Sequence, residues 1–501
     1  VETWVIATGL IVLYLMGTIG LGAWANRLLA VDVEDFLLYG RKAGFIVLYL
    51  TVVATYHSAF AFLGSSGFFY THGIGFWDAG TWTIMTGAVT YVLGPRIWFL
   101  GKKFGYLTPA DLLADFYESD AVRVITASVS VLFTVFYIQV QARGLGYIIE
   151  VASGGRVSYE LGVLILLSVA AAYLVVGGIR AVYWTDVLQG IWMYLALWVG
   201  GLFLAHRLFG GFGSLWHEVA IRRPDLLTLP GPHGFFTPGM WFGMSIVLSF
   251  GIVFQPHMMI RFYTAVSDRT LRWLGVTTPI YLLTIYIPAA LVGLGGAIAM
   301  PDLKNPDRVF PELLFAYAPA WLTGLVLAGA TAAAMSTLDS ILHANMTVLT
   351  RDVYQRYIRP RASQQHYILT GRIVVLLLLA VGYALALAGG ELLVILVTLS
   401  GAGALQLMPA VIGVCFPSRN LLSKSGVLAG MLSGLAALYV TLVSIPHPLG
   451  LHGGVWSLGV NFLVTLIVSR VTPPPSASTV SRIHGALEQW AYGEDRIAPS
   501  R

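Results

Sequence analysis

A chain of 501 residues that is 57% hydrophobic and only 11% charged, with a mean hydropathy of +0.78, carries more apolar surface than a soluble core could enclose. Its solvent is lipid, and the formal charge of +5 is then a statement about membrane topology rather than affinity for nucleic acid. The single cysteine, Cys415, excludes a disulfide within this sequence.

A helix crosses the hydrocarbon core with about 20 apolar residues. Stretches of that kind are predicted at 4–25, 45–70, 76–100, 122–151, 158–177, 181–207, 238–262, 273–299, 313–348, 368–389, 391–415, 425–445 and 451–470. The reading is an all-α polytopic membrane protein of about 13 transmembrane helices. The first stretch lacks a basic leader and a small-residue cleavage site and reads as a retained helix. The stretches starting at Phe45 and just after Glu312 are candidates for broken helices. Stretch 2 carries Ala54-Thr55-Tyr56-His57-Ser58 and then Gly64-Ser65-Ser66-Gly67; stretch 7 carries Ser249-Phe250-Gly251 and then Gln255-Pro256-His257. Unwound backbone at membrane depth needs such small and polar residues around a cavity. A kinked packing helix with close contacts is the alternative.

With the C-terminus placed in the cytoplasm, 22 Lys and Arg fall inside, six fall outside and Arg143 lies within a span, accounting for all 29. This places the N-terminus outside a cell (inner) membrane. After Pro473, residues 480–492 form either an amphipathic helix on the inner membrane surface or a disordered tail.

Residues 177–189, GGIRAVYWTDVLQ, closely resemble the signature of the sodium/solute symporter family. Residues 250–267, FGIVFQPHMMIRFYTAVS, and 332–354, AAAMSTLDSILHANMTVLTRDVY, resemble two further blocks of that family, with weaker similarity at Gly40–Lys42 and Leu405–Pro409. The resemblance implies a LeuT-type core of two inverted five-helix repeats. It divides the chain into an extra N-terminal helix and loop (1–44), a first repeat (45–208), an external loop (209–237), a second repeat (238–416), two C-terminal helices (417–471) and a tail (472–501).

The implied activity is symport of a small polar solute with sodium as coupling ion and no other cofactor. The lipid bilayer is the remaining partner, and no feature demands a nucleic acid or an obligatory protein partner. The implied sodium ligands are the hydroxyls of Ser336 and Thr337 with the backbone oxygens of Ala54, His57 and Ala333. Neutral oxygens hold a hard monovalent cation weakly enough for release, although adjacent Ser and Thr in a helix also bond locally to the preceding turn.

Asp186, Asp339 and Ser340 form a possible second cation or proton site, since two acids within reach of one site do not both ionise easily. Alternatively, Asp186 pairs with Arg180 at the cytoplasmic edge. Arg143 offers a planar fork to a solute carboxylate, or pairs internally with Glu150 or Asp78. Thr55, Tyr56, Ser58, Phe60, Phe76, Thr81, Gln141, Gln255 and Gln406 are expected near the solute by position. The LQLMP stretch at 405–409 and the loop GYLTPADLLADFYES look similar to the monocarboxylate branch, which favours a carboxylate-bearing solute: a monocarboxylate, pantothenate or an amino acid. A proton-coupled symporter and a transporter-like sensor are the rival readings. No HExxH, G-x-S-x-G or metal-spaced His/Cys cluster points to an enzyme.

Overall fold

The computed structural model describes residues 2–26, 37–418 and 421–492. The side chains at 23, 25, 26, 173, 175–178 and 180 also lie outside the description, and with them the expected pairing by Arg180. Arg27, Arg419, Arg496 and Arg501 of the charge count fall outside it too. The described residues form helices and turns, with one isolated parallel bridge between Ala43 and Ala265.

In chain order the helices are α1 (Thr3–Asn26), α2 (Phe45–Tyr56), α3 (Ser65–His72), α4 (Ala79–Phe104), α5 (Pro109–Phe116), α6 (Asp120–Ala152), α7 (Tyr159–Phe209) and α8 (Phe212–Arg222). There follow α9 (Pro238–Val253), α10 (Pro256–Thr264), α11 (Asp268–Ala299), α12 (Val309–Tyr317), α13 (Ala320–Val348), α14 (Gln364–Leu387), α15 (Leu393–Ala404), α16 (Met408–Cys415), α17 (Lys424–Tyr439), α18 (Gly453–Val471) and α19 (Ala477–Tyr492). Their starts are written locally. Thr108, Ser119, Ser158, Thr237 and Ser267 each accept a backbone N–H from the first turn of the helix they precede, and Pro109, Pro238 and Pro256 begin helices where no N–H is needed.

Among the described residues nine helices are long and apolar enough to cross a membrane, and eleven if each of two bent pairs is one span. The expectation of thirteen exceeds this at two places. The stretches expected at 45–70 and 76–100 fall together in one bent pair, Phe45–Tyr56 with Phe60–Phe104, although Gly73 (φ 68°) ends α3, and Tyr159–Ala172 is a short apolar stretch of the same long helix as Ala181–Phe209.

The bent pairs fall where the sequence breaks were expected. The helix axis turns by 52° between Tyr56 and Phe60 and by 48° between Val253 and Pro256. At the first break His57 is extended (φ −98°, ψ 92°), and a π-helical turn over Phe60–Gly64 leads into α3; at the second, Gln255 is extended (φ −67°, ψ 144°). The segment after Glu312 is also interrupted, between α12 and α13. The Ala43 N–H donates to Thr264 O (3.0 Å) and the Val266 N–H to Ala43 O (3.0 Å), tying the entry to one broken helix to the exit from the other.

The tail forms the expected helix, over Ala477–Tyr492, but docks it on protein. Helix α19 packs on protein: Ile483, His484, Ala486 and Leu487 are buried, the Trp490 ring stacks on Phe99 at 5.0 Å, and Arg482 holds both oxygens of Asp115 at 2.9 and 3.0 Å. Its buried face is covered by protein.

Candidate functional site

At the first break the last carbonyls of α2 lose their partners in the next turn, and α13 supplies replacements. Ser336 Oγ donates to Ala54 O (2.9 Å) and lies 3.0 Å from Ala333 O. Thr337 Oγ1 donates to Thr55 O (2.9 Å), with Ala54 O and Ala333 O at 3.5 and 3.4 Å. Ala54, Thr55, Ala333, Ser336 and Thr337 are all buried. The result is a dry cluster of two hydroxyls and three carbonyls, neutral and all oxygen, which suits a hard monovalent cation. Thr55 contributes its carbonyl, a role not anticipated for it. His57 enters through its ring, whose Nδ1 is 2.8 Å from Val53 O, and that ring packs against Tyr281 at 4.8 Å between centroids.

One turn further along α13 the chemistry changes sign. Arg261, from α10, places one terminal nitrogen 2.5 Å from Ser340 Oγ, 3.0 Å from Thr51 Oγ1 and 3.1 Å from Asp186 Oδ2. Thr51 Oγ1 also donates to Asp186 Oδ2, and Thr55 Oγ1 lies 3.0 Å from Ser340 Oγ. The arginine side chain is 4% exposed and the aspartate 0%, so this is a buried ion pair. Asp339 is buried beside it, and both acids act electrostatically on the Tyr14 hydroxyl. Asp186 thus meets a guanidinium from another helix. Arg261 leaves the cytoplasmic charge count, making 21 against six (22 − 1), because it is buried within the membrane-spanning part. Its signal was the arginine of the QPHMMIRF run.

Around the breaks, Gln141 Oε1 accepts the Ala59 N–H at 3.0 Å and so closes the unwound segment. Ser58 Oγ accepts the Phe60 N–H (3.1 Å) and the Tyr137 hydroxyl (3.3 Å). Gln255 Nε2 donates to Ser400 Oγ (3.0 Å), joining the second break to α15, while its Oε1 has no described partner. Tyr56, Phe60 and Phe76 are buried in the same aromatic region, and Thr81 is half-buried at the start of α4.

Gln406 is engaged elsewhere. Its amide donates to Ala402 O (3.1 Å) and Ser457 Oγ (2.9 Å) and accepts from Asn461 (3.0 Å), which pins the α15–α16 turn to α18. Arg143 donates to Glu391 O (2.6 Å) and the Tyr147 hydroxyl (2.8 Å). Neither expected internal partner is used, since Glu150 pairs with Arg308 at 2.9 Å and Asp78 makes no ion pair among the described residues.

An all-helical membrane protein with two broken helices, and with a neutral oxygen cluster at the first break, defines a secondary transporter of the LeuT-type fold. Residues 36–434 match the model of the sodium:solute symporter family, and the chain belongs to that family. It is 29% identical over 492 residues to the sodium/pantothenate symporter of Escherichia coli (strain K12), with 94% of this chain and 98% of that one covered. It is 26% identical over 483 residues to the osmoregulated proline transporter OpuE of Bacillus subtilis (strain 168), covering 91% and 93%. A Na+-coupled sialic acid symporter solved in a substrate-bound outward-open state superposes with a TM-score of 0.76 at 16% identity, over 94% of this chain and 99% of that one. The protein is therefore a multi-pass membrane transporter, not an enzyme, and it couples movement of a small solute to sodium.

Proposed function

We propose that this symporter imports a small, carboxylate-bearing solute by alternating access, with its N-terminus outside a cell (inner) membrane and its C-terminus in the cytoplasm. The observation that carries the mechanism is the approach of Ser336 and Thr337 to the Ala54 and Thr55 carbonyls at 2.9 Å across the first break. Sodium entering that cluster would accept all these oxygens as ligands and hold α2 against α13. Release on the low-sodium side would free α2 to move and let the solute leave inward.

One sodium ion falling through 100 mV supplies about 2.3 kcal/mol, and a tenfold gradient adds about 1.4 kcal/mol. Their sum supports accumulation on the order of 500-fold. The orientation rests on the remaining 21 to six asymmetry of basic residues. The carboxylate reading draws on the solutes named for the relatives, pantothenate and proline, each of which bears one. It also draws on Arg143, whose contact-distance partners are a hydroxyl and a carbonyl, both neutral and exchangeable for an anion.

The test is uptake of labelled pantothenate, proline and lactate into proteoliposomes under an inward sodium or an equal potassium gradient. Sodium-driven uptake of a carboxylate that Ser336→Ala/Thr337→Ala abolishes is the expected result. Uptake indifferent to sodium, or unchanged in the double variant, refutes the coupling site.

A further inference from the structure

Four buried acids of this molecule have partners from elsewhere in the fold. Asp186 meets Arg261 and Thr51, Asp307 accepts the Leu393 N–H, and Asp111 and Asp352 share Arg123. Asp78 is 0% exposed, makes no side-chain cap to α4, and neither of its carboxylate oxygens has a hydrogen-bonding partner beyond the adjacent Ala79 amide that bears on it. A buried carboxylate without a counter-charge is expensive, and such a residue marks a place where something else supplies the charge.

Its neighbours along the chain, Phe76 and Trp82, and the Tyr286 that feels its charge across the fold are aromatic. Trp82 lies one turn along α4 from Asp78, and its ring meets Tyr286 of α11 at 5.7 Å between centroids. Phe60, the residue that opens the π-helical turn after the first break, contacts Phe76, Trp82 and Tyr286 at 6.2, 6.5 and 6.3 Å, and Phe76 meets Tyr286 at 6.2 Å. The Trp82 Nε1 and the Tyr286 hydroxyl have no hydrogen-bond partner among the described residues, and Tyr286 lies within electrostatic reach of both Asp78 and Tyr137, the residue that bonds Ser58 at the break. The rings therefore connect the unpaired carboxylate to the unwound segment.

From this juxtaposition we infer that Asp78 and the box of Phe60, Phe76, Trp82 and Tyr286 receive a positively charged nitrogen of the transported solute, an ammonium or quaternary amine. A metal cation prefers a shell of oxygens, and the box offers one carboxylate and four ring faces. Ring faces together with a single carboxylate select an organic cation, whose charge is spread and whose surface is apolar. The rings touch in this arrangement, so Phe60 or Phe76 turns aside as the solute enters. Resting on the symport reading above, this narrows its solute to a zwitterion such as an amino acid or betaine and disfavours a simple anion such as lactate or pantothenate.

The experiment uses the purified full chain in nanodiscs, with thermal shift on adding proline, glycine betaine, tetramethylammonium, lactate or pantothenate, followed by sodium-driven uptake of the same labelled compounds. The cationic or zwitterionic probes are expected to raise the melting temperature, and Asp78→Asn to weaken them by about 10- to 100-fold while leaving the unliganded protein at least as stable. Trp82→Phe keeps the ring and is expected to retain binding. If no cationic or zwitterionic probe stabilises the wild type, or if Asp78→Asn binds them as well as wild type does, the inference falls, while sodium-driven uptake of an anion would leave the symport reading standing. If zwitterions bind through Asp78 but sodium drives the uptake of none of the compounds, the inference stands and the symport reading fails.

Discussion

Replacing Ser336 by Ala removes one hydroxyl that reaches both Ala54 O (2.9 Å) and Ala333 O (3.0 Å) and leaves the backbone of α13 in place. If that oxygen ligates the coupling ion, its loss removes a polar interaction with a charge in a dry site, about 1.5–3 kcal/mol. This corresponds to a rise of roughly 10- to 150-fold in the sodium concentration for half-maximal uptake. Thr337→Ala should act similarly through the Thr55 carbonyl, and Thr337→Ser should retain most of the affinity. The control is Thr331→Ala. Thr331 sits on the same helix, but its hydroxyl bonds only to Leu327 O, 2.9 Å away in its own preceding turn, so sodium dependence should not move. Initial uptake rates in proteoliposomes over a range of sodium concentrations read this directly. Equal shifts in Ser336→Ala and Thr331→Ala, or no shift in either, would refute the assignment and reduce Ser336 to a helix-packing hydroxyl.

Arg261→Met should lower stability by about 3–5 kcal/mol because it strands the buried Asp186, and Arg261→Met/Asp186→Leu should recover much of that loss, measured as melting temperature in detergent. Gly251→Ala should destabilise by about 1–3 kcal/mol. A Cβ there would lie 2.4 Å from Gly401 O and 2.7 Å from Gly401 Cα, forcing α9 away from α15 beside the second break. The docking of α19 should depend on pH. Burial holds the His484 imidazole below its ordinary value of 6.5, with the Gly413 carbonyl opposing. The stabilising neutral form is therefore fully present above about pH 6.5 and is lost as pH falls through the lowered value. Hydrogen exchange over 477–492 should accelerate on acidification, and His484→Phe, which keeps a ring against Phe116, should abolish that dependence.

Much of this architecture was legible in the chain because membrane helices obey a local rule. Backbone groups in lipid must be satisfied within the helix, so runs of apolar residues mark helices, and clusters such as Ala54–Ser58 and Gln255–His257 mark where the ladder opens. The Ser336–Thr337 pair was singled out only by the family resemblance, because adjacent hydroxyls in a membrane helix ordinarily bond to their own preceding turn.

The partners of long side chains were not readable. Arg261 is 75 positions from Asp186, Gln406 is 55 positions from Asn461, and Arg143 reaches a carbonyl 248 positions away at Glu391. Arg261 looked like one more basic residue near a membrane edge, and the tail read equally as a membrane-surface amphipathic helix or a disordered tail, because charge and amphipathicity specify a face without specifying what covers it. By itself the sequence determined the solvent, the helices and their breaks, all of which follow from free energies of transfer and backbone hydrogen bonding acting over a few residues. Only the tertiary structure decided which buried charges neutralise one another and which, like Asp78, meet no counter-charge among the described residues, because that depends on helices brought together from opposite ends of the chain.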